Sequence, residues 1–77
     1  MSHEEKVKKL LREILDVKEE DLTATAQFRK DLGATSIDFV ELVAALENEF
    51  DVTISDSDAE KLKTIGDTVA FLQAKTA

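Results

Sequence analysis

Seventy-seven residues without cysteine, 43% hydrophobic and 35% charged, make one small domain, 1–77, with neither disulfides nor thiolate metal sites. The formal charge of −7 is segregated: Asp31 to Glu60 holds nine acidic residues and no Lys or Arg, a surface that repels nucleic acid and steers a basic protein partner toward it. No apolar run nears the roughly 20 residues of a membrane span, and the N-terminal MSHEEKVKKLL lacks the apolar stretch of a secretory signal, so a cytoplasmic monomer that does not insert into membranes is expected.

The chain has no proline and only two glycines, which favours helix throughout. Val7, Leu10, Leu11 and Ile14 follow the i, i+3, i+4, i+7 template, with Leu15 widening the stripe. A first helix is expected over about 4–15. Residues 16–35 have no sustained period; Val17, Leu22, Phe28 and Leu32 are isolated apolar anchors that could pin a long loop onto the helices, and Gly33 suits a backbone turn. A second helix is expected over 36–50, with Thr35 as N-cap and Asp38 as a short capping-box partner. DVTI reads as a link. A brief third helix over 56–62, capped by Ser55, precedes a last helix whose apolar positions are Val69, Ala70, Phe71 and Leu72. The architecture expected is an all-α four-helix bundle with a long first loop and a short third helix.

Placed on a wheel at about 100° per residue, the second helix carries two apolar groups. Phe39, Leu42, Val43, Leu46 and Phe50 form a broad arc suited to the core. Ile37, Val40 and Ala44 form a narrower strip bordered by Glu41 and Glu47. Either the third helix or the long loop covers that strip, or it is a contact patch with an acidic rim beside Ser36.

Ser36 is open to two readings: an ordinary first-turn polar residue, or a residue on which another protein acts. It is not the nucleophile of a hydrolase. An activating base must lie within hydrogen-bond reach, and the only histidine, His3, falls at an N-terminus expected to be mobile. A dedicated metal site is also excluded. DSDAEKLKTIGD places Asp56, Asp58 and Glu60 as a calcium loop would, but has Lys61 where that loop needs glycine and Asp67 where it needs glutamate.

The segment DLGATSIDFVELVAALENEFDVTIS resembles the acyl carrier protein signature, with Thr35-Ser36-Ile37 at the place of the family's usual Asp-Ser-Leu. VKKLLREILDVKEEDL, Phe28 and TIGD extend the resemblance over nearly the whole chain. It implies a four-helix bundle in which a phosphopantetheinyl transferase attaches 4′-phosphopantetheine to Ser36 and the arm's thiol carries acyl groups as thioesters. The missing base and missing cysteine then make sense: the transferase supplies the first, the cofactor the second. The same resemblance implies that acyl-loading and acyl-processing enzymes read Thr35, Asp38, Glu41, Glu47 and Asp56 through basic patches, around an apolar centre of Ile37, Val40 and Ala44. It further implies an acyl pocket formed by Phe28, Phe39, Leu46, Ile54 and Leu62. A non-enzymatic carrier of fatty or related acyl groups is expected; carriage of aminoacyl or polyketide cargo, and an unmodified interaction module on the same fold, are the alternatives.

Four positions depart from the family pattern: Thr35 replaces an aspartate, Asn48 an acid, Ala44 a larger methionine, and Phe39 a small or polar residue. The last leads to the expectation that Phe39 partly fills the pocket.

Overall fold

The computed structural model describes residues 2–77. Its elements are α1 (His3–Ile14), a single 3-10 turn (Glu19–Asp21), α2 (Ser36–Phe50), α3 (Asp56–Lys61) and α4 (Ile65–Lys75). The helix α1 packs against both α2 and α4. The three enclose a core that includes Val7, Leu11, Leu42, Leu46, Ile65 and Leu72. Fully burying one such side chain is worth about 1.5–3 kcal/mol, so the core outweighs any single helix propensity.

Each helix begins at a side-chain cap. The hydroxyl of Ser2 accepts from the Glu5 N–H at 3.2 Å, which starts α1 one residue earlier than the apolar stripe indicates. Thr64 and Asp67 form a reciprocal capping box on α4, and Ser55 caps α3. His3 is not in a mobile tail: its ring stacks on Phe50 at 5.2 Å and its Nε2 bonds the Thr76 hydroxyl at 2.7 Å. The expectation failed because a cap, not an apolar residue, sets the helix start.

Two further details differ from the sequence reading. The segment 16–35 contains the 3-10 turn, closed where the Asp21 carboxylate accepts from the Lys18 N–H at 3.3 Å. Three acids in a row carry no periodicity, so only local hydrogen bonding reveals it. In α4 the buried residues are Ile65, Thr68 and Leu72, whereas Ala70 is exposed and Val69 and Phe71 are half-buried. Thr68 was overlooked as a core residue because it is polar; its hydroxyl donates to the Thr64 carbonyl at 3.0 Å and so can be buried.

The long loop is fastened at its expected anchors: Leu22, Phe28 and Leu32 are buried, and Val17 packs against the core. A row of backbone hydrogen bonds joins it to the α3–α4 junction. Phe28 N–H donates to Lys63 O at 3.0 Å, Ile65 N–H to Ala26 O at 3.2 Å and Gly66 N–H to Ala24 O at 2.8 Å. Gly66 is required by this approach, since a Cβ there would lie 2.9 Å from the Ala24 carbonyl oxygen. Gly33 is required for another reason, a φ of +69° that lets the chain turn into α2.

Candidate functional site

The N-terminus of α2 is held open by its own cap. The Thr35 hydroxyl accepts from the Asp38 N–H at 3.2 Å, and the Asp38 carboxylate accepts from the Thr35 N–H at 3.0 Å. Asp38 is long enough to complete the box despite lacking a glutamate's extra methylene. Ser36, next in the chain, is exposed, and its N–H and that of Ile37 precede the first intrahelical bond. A hydroxyl thus stands at the positive end of a fifteen-residue helix with unpaired donors beside it.

No histidine approaches it. His3 stacks on Phe50, at the other end of α2 and about 21 Å along the axis from Ser36 at 1.5 Å per residue. The nearest charged partner is one that sequence reasoning missed: Arg29 Nη2 donates to Ser36 Oγ at 3.1 Å. The two residues are seven apart across an irregular turn, so no helical or strand period relates them.

A cavity of about 420 Å³ opens next to this serine, between the loop, the start of α2, and α3. Phe28, Phe39, Ala59 and Leu62 give it an apolar lining, and Gln27, Arg29, Glu60 and Lys63 its polar part. The Phe28 and Phe39 rings meet at 5.9 Å with their planes tilted by 47°. Three of the five expected pocket residues, Phe28, Phe39 and Leu62, are therefore brought together. Leu46 and Ile54 do not line the cavity. They are buried in the core beneath it, where their apolar character serves packing.

Phe39, one turn beyond Ser36, stands at the wall where a smaller side chain would leave more room. Phe39→Thr is expected to deepen the cavity, so that methylene protons of a bound acyl chain show more NOE contacts to Leu62 and Ala59 than in the unsubstituted protein. Identical NOE patterns would show that Phe39 does not limit the space.

The second face of α2 is uncovered. Ile37 is 72% exposed and Val40 66%, the two large hydrophobic residues that stand out on the surface, and Ala44 is exposed on the same strip. Neither α3 nor the loop lies over them. The acids Glu41, on the same helix, and Asp56, at the start of α3, are exposed. Glu47 is differently employed: its carboxylate accepts from the Ile54 N–H at 2.8 Å and closes the α2–α3 link. Thr35 and Asp38 are occupied with each other in the cap.

No described helix is long and apolar enough to cross a membrane. Among the described residues no group of three or more His, Cys, Asp or Glu is placed to hold a metal ion.

Comparison with known proteins agrees with this geometry. Residues 5–72 match the family model described as a phosphopantetheine attachment site. An acyl carrier protein of Buchnera aphidicola subsp. Acyrthosiphon pisum (strain Tuc7) is 50% identical over 72 residues, 94% of this chain and 90% of the relative. A solved acyl carrier protein from Enterococcus faecalis superposes with a TM-score of 0.77 at 36% identity, covering 97% of this chain and 99% of that one. A provisionally assigned acyl carrier protein from Anaplasma phagocytophilum gives a TM-score of 0.88 at 32% identity, covering 96% and 88%.

Proposed function

Because the chain belongs to the acyl carrier protein family, a family of carriers served by a 4′-phosphopantetheine group, we propose that Ser36 is the residue that bears the arm and that residues 1–77 act as one cytoplasmic carrier domain without catalysis of its own. The observation that carries this reading is the exposed Ser36 hydroxyl at the capped start of α2, beside unpaired N–H groups, a guanidinium and an apolar cavity. That donor set suits a phosphodiester, whose negative charge favours a helix N-terminus. The cavity suits an alkyl chain.

In the attachment reaction, Ser36 Oγ forms a bond to the phosphorus bearing the pantetheine of coenzyme A. The pyrophosphate bond breaks, the adenosine bisphosphate leaves, and the hydroxyl proton passes to a base on the transferase. The chain's own contribution is presentation: the Thr35–Asp38 box fixes the helix start, and Gly33 turns the chain so that Ser36 faces outward. Once bound, the group supplies the thiol on which acyl cargo rides.

Phosphopantetheinyl transferase and acyl-processing enzymes are the partners of the family. For this chain we assign their docking to Ile37, Val40 and Ala44, with Thr35, Asp38, Glu41, Glu47 and Asp56 as the polar surround presented to basic patches. Acids around a small apolar centre give fast, salt-sensitive encounters, as a carrier that visits several enzymes requires.

The test is intact-protein mass spectrometry after incubation with coenzyme A, magnesium ion and a broad-specificity phosphopantetheinyl transferase. The protein is expected to gain one 4′-phosphopantetheinyl group, and Ser36→Ala none. A gain by Ser36→Ala would place the attachment elsewhere.

A further inference from the structure

A cation is in direct contact with the Ser36 hydroxyl. Arg29 donates to Ser36 Oγ at 3.1 Å. The ion pairs formed by the described residues are Lys8–Glu4 and Arg12–Glu19, so Arg29 has no carboxylate partner among them. It is not a side chain wandering from a loose loop. The preceding residue, Phe28, is 2% exposed and its N–H is fixed to Lys63 O. Downstream, the N–H groups of Asp31 and Leu32 both donate to Gln27 O, at 3.0 and 3.1 Å, closing a tight turn around Arg29. The guanidinium is delivered to the end of α2 from a pinned turn.

A serine hydroxyl is a poor match for this group. A guanidinium has five N–H donors in a planar fork, and the hydroxyl takes one of them. A phosphodiester has two non-bridging oxygens and a full negative charge, which the fork can meet in two places. The electrostatic setting favours such a contact. The Asp38 carboxylate lies at the same helix end, Glu41 is a turn further on, and the chain as a whole carries −7. A phosphate placed on Ser36 is repelled by all of these, and Arg29 is the cation already in hydrogen-bond contact with that residue to offset them.

We propose that Arg29 is a positioning residue for the prosthetic group, its guanidinium gripping the phosphodiester on Ser36 and holding the root of the arm at the edge of the cavity that Arg29 itself helps to line. This rests on Ser36 being the attachment residue. In the unmodified protein the guanidinium waits on the hydroxyl; on modification it exchanges that neutral acceptor for a charged one. The arm then starts beside Phe28 and Phe39, with an apolar chain directed to the cavity instead of across the anionic face.

The experiment compares unmodified and modified full-length protein, with modification first verified by mass. On modification the Arg29 side-chain Nε–Hε NMR resonance is expected to shift while that of Arg12, engaged with Glu19, stays in place. In modified Arg29→Gln the phosphodiester ³¹P resonance is expected to move from its position in the unsubstituted protein, and high salt should move the latter the same way. Arg29→Lys should restore part of the effect, keeping the charge but not the fork. The melting temperature gained or lost on modification should become less favourable by about 2–4 °C in Arg29→Gln, the scale of one surface charge contact in a domain of this size. An unmoved Arg29 resonance together with an unchanged ³¹P signal in Arg29→Gln, in protein that has gained the group at Ser36, overturns the role of Arg29 alone. Failure of Ser36 to gain the group overturns both this inference and the reading beneath it.

Discussion

Phe28→Ala is expected to lower the unfolding free energy by about 3 kcal/mol, the low end of the roughly 3–5 kcal/mol typical of a buried aromatic truncated to alanine. The low end applies because one side of the ring already borders the cavity, so fewer packing contacts are lost than in a closed core. Even so, the loss is large against a total of about 4–12 kcal/mol for a chain of this length. The ring is a fully buried anchor of the long loop, at 2% exposure, and its centroid lies 5.9 Å from that of Phe39. Its removal loosens the turn that presents Arg29 as well as the wall of the cavity. Urea denaturation and thermal melting measure the effect, the latter as a fall of at least about 12 °C. A drop of less than about 1 kcal/mol would mean that the loop contributes little to the core.

Val40→Glu should do the opposite: leave the fold alone and damage the encounter with partners. At 66% exposure the side chain contributes little to the core, and surface changes of this kind usually fall within about 0.5 kcal/mol of stability. In the docking proposed above, however, Val40 is at the centre of the strip, where a buried, unpaired carboxylate costs about 2 kcal/mol. That corresponds to roughly a 30-fold fall in kcat/KM for an enzyme acting on the loaded carrier. Steady-state assays with varied carrier concentration give this ratio, and Ile37→Glu should behave alike. An unfolded Val40→Glu protein would show the strip to be part of the core; a folded one with unchanged kcat/KM would remove α2's second face from the docking surface.

Where periodicity was strong, the sequence was a reliable guide. The α2 limits, Ser36 and Phe50, follow from the Thr35 cap and the apolar arc, and spacing alone separates that helix into two apolar groups, whereas the exposure of the second one needed the structure. The α3 limit moved by one residue, as expected when a helix of six residues ends on Leu62 folding inward. What the sequence concealed were relationships across irregular backbone. The Arg29–Ser36 hydrogen bond needs the Gly33 turn before the two can meet. The stitching of Ala24, Ala26 and Phe28 to the start of α4 uses backbone atoms, which carry no residue signature.

The cavity was partly legible. Phe28 and Phe39 line it, whereas Leu46 and Ile54 are buried in the core; a pocket lining and a core are written in the same apolar residues. Glu47 shows the same ambiguity for charge. Its place on the wheel suggests a rim, while the actual carboxylate is turned toward the Ile54 N–H.

The seam between the loop and the head of α4 has a consequence for how the cavity breathes. Hydrogen bonds from Phe28, Ile65 and Gly66 tie that side into the core, so opening it requires breaking several bonds at once. The opposite side is α3, a helix of six residues with none of them buried. The cheapest local opening therefore detaches α3 and leaves the seam intact. The cavity works as a vise with one fixed jaw and one loose jaw, and the loose jaw sets the cost of admitting a bulkier guest.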